Sequence, residues 1–451
     1  MRDLLSDAAQ RAIGYLEQLD RRSVVPTPAA LARLRDLDRP LPTSGADPLA
    51  VLAELDEIGS PATVATAGGR FFGFVIGGAL PATVAANWLA TAWDQEAGMP
   101  ATSPATVAIE AVAHRWLLEL FGLPSTCATA FVTGATMANF TALAAARNAV
   151  LARLGWNVEA DGLIGAPPVP VYVGAEVHPT ARKALGLLGF GRNRPIELPV
   201  DDQGRIRADR LPPLAGPALV LAQAGNVNTG AADPIAALAD WVHGAGGWLH
   251  VDGAFGLWAA ASPAYAHLVA GFEAADSWAT DAHKWLNVPY DSGVAIVTDA
   301  EALQRAMGLS AAYLPLAAGR QPDRFTPELS RRARGVEVWA ALATLGRAGV
   351  ADLVDRCCRH ARRFAAGLTA AGFPILNDVV LNQVLVAFGP GKVNDRVAAR
   401  IQADGVCWCG VTEWQGRRAV RISVSSWATT DADVERSLTA ILGAAAAVRG
   451  G

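Results

Sequence analysis

The densest cluster of reactive side chains lies in two short stretches, His250-Val251-Asp252-Gly253-Ala254 and Asp281-Ala282-His283-Lys284-Trp285, with Asp252 and Lys284 32 residues apart. Asp252 ends the apolar run Trp248–Val251, where a carboxylate buried without a partner would be costly. Strand ends of α/β sheets are where ligands bind, so Asp252 could face a cationic or hydrogen-bonding ligand atom. Taken alone, an exposed turn acid or a helix N-cap explains it as well. Lys284 is one of three lysines, with Lys183 and Lys392, among 38 basic residues, and it stands between two aromatic rings. A desolvated lysine amine is a nucleophile for a carbonyl carbon. Taken alone, a surface lysine snorkelling from a strand end is the simpler account.

Three further sites follow other short apolar runs. Phe131-Val132-Thr133-Gly134-Ala135-Thr136-Met137-Ala138-Asn139 reads as a strand, a turn of small residues and a helix start. Small residues let backbone N–H groups approach an anion, and a helix N-terminus favours negative charge. Thr136 adds a hydroxyl donor. His178, in Val173-Gly174-Ala175-Glu176-Val177-His178-Pro179-Thr180, offers an imidazole that could stack on a flat ring or serve as a satisfied structural histidine. Gly225-Asn226-Val227-Asn228-Thr229-Gly230 offers amide and hydroxyl donors, or is a plain turn. Together the five sites supply an amine for an aldehyde, a carboxylate, a stacking ring and an anion cradle. Pyridoxal phosphate, with its aldehyde, pyridine nitrogen, flat ring and phosphate, calls for this set.

The elements that must position these residues alternate. Helix-like runs cover Ala105–Phe121 and Ala138–Leu154, and buried strands are predicted at Val169–Val173, Ala218–Ala222, Trp248–Val251 and Val294–Val297. That alternation argues an α/β unit with a mainly parallel sheet. Residues 1–65 read as helical arms joined by Pro-rich turns, residues 66–340 as the large α/β domain, and residues 341–451 as a smaller α+β domain. The arms cannot bury their own faces and must pack on something else. In the small domain, helices are predicted over Val350–Ala371, Lys392–Ala403 and Asp431–Ala447, with strand-like runs in Val379–Phe388 and Ala419–Val424.

The chain has 451 residues, is 52% hydrophobic and 18% charged, and carries a formal charge of −4. This excludes a disordered or collagen-like protein and gives no electrostatic reason to expect nucleic acid or an anionic membrane. Five cysteines, including Cys357-Cys358 and Cys407-Trp408-Cys409, lack zinc-knuckle spacing, so no metal site and no disulfide framework are expected. The acidic N-terminus, Met1 to Asp7, lacks the apolar core of a secretory signal, which points to the cytoplasm. Phe71–Trp93 is uncharged and long enough to span a bilayer, but Gly77-Gly78 and Pro81 make it a loop entering a helix.

In this order, Thr133-Gly134-Ala135-Thr136, His178, His250–Ala254 and Asp281–Trp285 resemble the group II pyridoxal-phosphate-dependent amino acid decarboxylases, relatives of the aromatic-amino-acid, tyrosine and glutamate decarboxylases. The likeness is close over about residues 65–300 and loose beyond. It implies fold type I, like aspartate aminotransferase: a large domain with a mainly parallel seven-stranded sheet, a small C-terminal α+β domain, and a homodimer with the site near the subunit interface. It implies that Lys284 joins the coenzyme aldehyde, Asp252 pairs with the pyridine nitrogen, and His178 and Ala254 pack on the two ring faces. Gly134, Ala135, Thr136, Asn228, Asp281 and His283 would complete the coenzyme site. Arg421 would meet the substrate carboxylate, or bridge the domains, and Phe71-Phe72 would line the entrance, or pack in the core.

The implied reaction removes carbon dioxide from an L-amino acid and protonates Cα to give the amine. The sequence departs from the family in the mobile loop, about Gly308–Arg334, which holds Tyr313 but no tyrosine near Pro322–Thr326. Tyr313 or His178 would then deliver the proton. Asn226-Val227-Asn228-Thr229 replaces a Gly-Thr-Thr pattern, and Asp281 stands where animal relatives have Asn. Oxidative deamination to an aldehyde, an aldolase-like cleavage, transamination and a silent coenzyme-binding protein are the competing readings.

Overall fold

The computed structural model describes residues 1–309 and 320–450. Helices α1 (Arg2–Glu17), α2 (Pro28–Arg33) and α3 (Pro48–Ala62) form the N-terminal segment. Pro28 and Pro48 each open a helix, where a missing N–H is tolerated. α1 buries no residue and α3 only Ile58. The uncharged stretch from Phe71 is broken in the same way: Pro81 begins α4 (Pro81–Trp93). No described helix is long and apolar enough to cross a membrane.

α5 (Pro104–Phe121) leads into the main sheet. Its strands are β1 (Ala128–Val132), β2 (Val171–Gly174), β3 (Ile196–Leu198), β4 (Leu219–Gln223), β5 (Trp248–Asp252), β6 (Ser277–Asp281) and β7 (Gly293–Val297). They lie in the order β1-β7-β6-β5-β4-β2-β3. The run from β6 to β3 is parallel, and β7 is antiparallel to both β6 and β1. Strands buried on both faces read as unbroken apolar runs, which is why they were legible. α6 (Ala135–Arg153), the single-turn α7 (Val158–Asp161), α8 (Pro179–Leu187), α9 (Ile235–His243) and α10 (Ala300–Met307) join them. α6, α8 and α10 share one core with one face of the sheet. α5 and α9 pack on the other face, in a core continuous with the C-terminal elements.

α11 (Gly335–Ala370) starts well before the predicted Val350. Its backbone breaks at Gly346, φ 59° and ψ −179°, so two helical segments are joined at a kink and only the second carried a clear periodicity. β8 (Gln383–Val386), α12 (Val393–Asp404), β9 (Gly410–Trp414), β10 (Arg417–Ser423) and α13 (Asp431–Gly450) follow. The three strands form an antiparallel sheet in the order β8-β10-β9. β9 was not predicted: it is a half-exposed edge strand with no apolar run. Its signal was the turn, since Gln415 (φ 47°) and Gly416 (φ 75°) make the two-residue loop of a hairpin.

Candidate active site

A cavity of about 370 Å³ opens at the C-terminal ends of the parallel strands, the edge where α/β sheets take ligands. Asp252 is the last residue of β5, paired in register with Gln223 at the end of β4, and Asp281 is the last residue of β6. Lys284 lies in the β6–β7 connection, and α6 begins at Ala135 directly after β1. Four strand ends and one helix N-terminus therefore converge. Gly134, Ala135, Thr136, His178, Asp252, Ala254, Asp281, His283 and Lys284 all line this one cavity.

Asp252 is buried, and each of its oxygens accepts a hydrogen bond: Oδ1 from the Ala254 N–H at 3.2 Å and Oδ2 from Asn139 Nδ2 at 3.1 Å. Lys284 Nζ sits 3.0 Å from Asp281 Oδ2. Asp281 Oδ1 accepts the Ala135 N–H at 2.5 Å and lies 3.3 Å from His283 Nε2. The Ser292 N–H donates to His283 Nδ1 at 3.0 Å, so Nε2 carries the ring proton and points at the α6 N-terminus. Burial lowers the pKa of His283; neighbouring Asp281 opposes this and Lys284 adds to it. A Cβ on Gly134 would stand 2.9 Å from His283 Cε1 and 3.3 Å from Asp281 Oδ1. Only glycine keeps this cradle open.

His178 caps α8. Its Nδ1 accepts the Thr180 N–H at 3.3 Å and meets Thr180 Oγ1 at 2.7 Å, which fixes the ring plane. Burial is the main cause that lowers its pKa, with Asp252 opposing, so a neutral, flat imidazole forms part of the wall. Arg421, on β10, donates from Nη1 to the Val227 carbonyl at 2.8 Å, and burial pulls its pKa down to about 10. It reaches the cavity through that carbonyl, since Val227 is the lining residue. The Asn228 side chain points elsewhere, its Oδ1 accepting from Thr412 Oγ1 at 2.9 Å. Phe71 stacks on Trp408, with ring centres 4.8 Å apart, and Phe72 packs edge-on to Phe364 at 5.0 Å. Both are buried and neither lines the cavity, and the exposed aromatic of that stretch is Phe74. Tyr313 lies outside the described residues.

The loop carrying Lys284 is fastened by Asn287, whose backbone φ is +57°. Its Nδ2 donates to the carbonyls of Trp285 at 2.8 Å, Ser425 at 3.0 Å and Lys284 at 3.3 Å, and its Oδ1 accepts the Trp427 N–H at 2.9 Å. The Leu80 N–H closes on the Asn287 carbonyl at 2.8 Å.

Three lining residues, Gln223, Phe255 and Tyr290, lie outside every stretch the sequence reading singled out. Gln223 was findable by the strand-end argument applied to Asp252. Tyr290 was not: its ring stacks on His283 at 4.2 Å only because the β6–β7 connection folds back. Burial, with Asp281 adding to it, pushes the Tyr290 phenol up to about 12, so it stays protonated.

These residues fit pyridoxal phosphate. An amine and a carboxylate share one cavity, a neutral ring lines its wall, and a glycine-opened helix N-terminus can take a phosphate. No cluster of potential metal ligands occurs among the described residues.

The pyridoxal-dependent decarboxylase conserved domain matches residues 33–389. The aromatic-L-amino-acid decarboxylase of Bacillus atrophaeus is 26% identical over 462 residues, covering 96% of this chain and 92% of its own length. The L-2,4-diaminobutyrate decarboxylase of Rhizobium meliloti (strain 1021) is 28% identical over 451 residues, covering 90% and 83%. The solved structure of Oryza sativa TDC with PLP and tryptamine matches with a TM-score of 0.91 at 23% identity, over 99% of this chain and 97% of that chain. Mouse CSAD in apo form matches with a TM-score of 0.90 at 22% identity, over 98% of each chain. At these identities the structures speak for the fold, which is fold type I. With the conserved domain spanning most of its length, the chain belongs to the pyridoxal-dependent decarboxylases, carboxy-lyases of amino acids whose coenzyme is pyridoxal 5′-phosphate.

Proposed function

We propose that the chain releases carbon dioxide from the α-carbon of an L-amino acid and returns the amine. The observation that carries this reading is that Lys284, Asp252, His178 and the α6 N-terminus line one cavity. Bound there, pyridoxal phosphate supplies an electron-accepting ring, and with it a place for the electron pair left behind by departing carbon dioxide.

The residues divide the remaining work. Lys284 would present the amine to which the coenzyme aldehyde is joined. Asp252 keeps a proton on the pyridine nitrogen, because an adjacent carboxylate favours the charged ring. His178 and Ala254 pack on its two faces. The Thr136 N–H and hydroxyl and His283 Nε2–H would hold the phosphate, with Gly134 leaving room and Ala135, whose N–H is given to Asp281, lining the cradle. Asp281 orients Lys284 and His283, and Asn228 supports the loop bearing Val227. Arg421 is the cation for the substrate carboxylate. Holding that carboxylate in one orientation is a positioning task that would select which bond breaks. Phe71 and Phe72 back the entrance, Phe71 through Trp408, on which exposed Phe74 rests.

Tyr313 delivers the proton to Cα. In a Tyr313→Phe variant, amine release falls by about 10²-fold; release at an unchanged rate excludes Tyr313 as the donor. The relatives are named for aromatic and diamino substrates alike, so the substrate is sought directly. The test is a panel of amino acids incubated with holoenzyme and analysed by mass spectrometry. Amine with carbon dioxide supports the reading; aldehyde, keto acid or no product overturns it.

We assign the same three units, 1–65, 66–340 and 341–451, with the two sheets in the second and third. A second copy of the chain is the partner for the exposed apolar side chains of the first helices, among them Leu5 and Ile13 of α1, Leu55 of α3 and Trp88 and Leu89 of α4. The five free, buried cysteines suit a reducing cytoplasm.

A further inference from the structure

Asp252 has a row of polar groups behind it. Alternate residues of a strand share a face, so Trp248, His250 and Asp252 of β5 all turn toward α6. Asp252 Oδ2 lies 3.1 Å from Asn139 Nδ2 on α6, and Asn139 Oδ1 lies 2.7 Å from His250 Nε2. His250 Nδ1 lies 2.9 Å from Ser277 Oγ on β6, which lies 2.9 Å from Trp248 Nε1. Asn139, His250 and Ser277 are fully buried.

The end groups dictate the direction of every bond. A carboxylate only accepts, so Asn139 turns its N–H to Asp252 and its oxygen to His250. His250 then donates from Nε2, and a neutral ring leaves Nδ1 to accept from the Ser277 hydroxyl. The indole N–H only donates, and Ser277 Oγ accepts it. All four bonds point toward Asp252. Burial pushes His250 down to about 3, so the row carries no charge of its own. His178, which feels the charge of Asp252, also feels Lys284, Arg421 and Asp281, and none of these is a member of the row.

We propose that Trp248, Ser277, His250 and Asn139 form a neutral, one-directional hydrogen-bond relay that holds Asp252 as an ionised acceptor aimed at the coenzyme ring nitrogen. Donation to a carboxylate favours its charged form, and aligned bonds in a buried row strengthen one another. Asn139 and His250 are positioning residues, not catalytic ones. The inference rests on the coenzyme role given to Asp252 above.

The test uses holoenzyme loaded with ¹⁵N-labelled pyridoxal phosphate, whose ring-nitrogen shift reports its protonation across a pH series. In the wild type the nitrogen stays protonated through neutral pH. In Asn139→Leu, which keeps the branching of the side chain but has no donor, its titration midpoint falls by about one unit. A folded, loaded Asn139→Leu protein that titrates like the wild type overturns the relay. Should that variant fail to fold, the unmutated protein answers through the ¹⁵N shifts of His250: a neutral ring protonated at Nε2 at pH 7 is expected, and an imidazolium or an Nδ1–H tautomer overturns the relay. The two claims fail differently. A ring nitrogen indifferent to Asp252→Ala sinks the coenzyme role of Asp252, whereas a normal response to Asp252→Ala with none to Asn139→Leu sinks the relay alone.

Discussion

Asp252 and Lys284, the two groups we assign to the coenzyme ring and its aldehyde, are held in opposite ways. Asp252 is held from within regular structure: its partners sit on its own strand's loop and on α6, and the residues behind it lie on β5 and β6. Lys284 is held from outside, by an irregular loop whose clamp, Asn287, ties it to Leu80 before α4 and to Ser425 and Trp427 beyond β10. A Cβ on Gly77 would stand 2.0 Å from the Lys284 carbonyl, so the segment before α4 presses on the same point as well. The carboxylate is set in regular structure, and the amine on a loop whose anchors lie in other parts of the chain, which suits the detaching and rejoining that the proposed function asks of it.

The largest break in that comparison is Lys284→Ala. It removes the covalent link, so the visible absorbance of the bound coenzyme disappears and turnover falls by about 10³-fold or more. Retained colour with turnover would place the reactive amine elsewhere. Asp252→Ala leaves the link intact and is expected to cost about 10²-fold in kcat, with coenzyme still bound; wild-type rates would remove its role as partner of the ring.

Asn287→Gly sharpens the loop side. Glycine accepts the positive φ, so the amide clamp is what is lost; coenzyme dissociation should quicken by about tenfold, and the buried groups left unpaired should lower the melting temperature as well. Asn287→Asp keeps the shape but turns a carboxylate onto three carbonyl oxygens and should be the worse variant. Equal dissociation rates for wild type and Asn287→Gly would show that the loop holds itself.

The smallest effect is a pH dependence on the strand side. His250 is pushed down to about 3 in the folded chain, against about 6.5 when unfolded. Below pH 6.5 the unfolded chain takes up a proton that the folded chain refuses, so stability is full above that pH and falls on acidification toward 3. Replacing His250 with Gln should recover about 2 kcal/mol of the loss between pH 7 and pH 5 in urea unfolding. Parallel curves for the two proteins would mean that His250 is charged in the native state.

Much of the Asp252 side could be read in advance. The pattern Trp248-x-His250-x-Asp252 is a strand with one polar-tipped face, and the run of small residues at Gly134–Thr136 announces a helix start. Parallel strands advertise themselves because both faces are buried. The Lys284 side was legible only as a motif. Its clamp depends on Asn287 adopting a left-handed backbone and meeting residues more than 130 positions away, and no local periodicity reports such a meeting. Arg421 shows the same limit: as a residue it was picked out, but its contact with the Val227 carbonyl became visible only once β10 was placed beside the loop after β4. Phe71 and Phe72 show the limit from the other direction, since two adjacent aromatics look alike whether they line an entrance or lie behind it.

Chain chemistry pointed to the coenzyme and the alternating architecture and singled out Lys284 and Asp252, because reactive residue types and buried strands are local properties. Three-dimensional packing decided the direction of the hydrogen bonds behind Asp252, the fastening of the Lys284 loop and the presence of Tyr290 over His283. Those depend on which distant groups share a few ångströms of interior, and that is settled only when the sheets and helices close on one another.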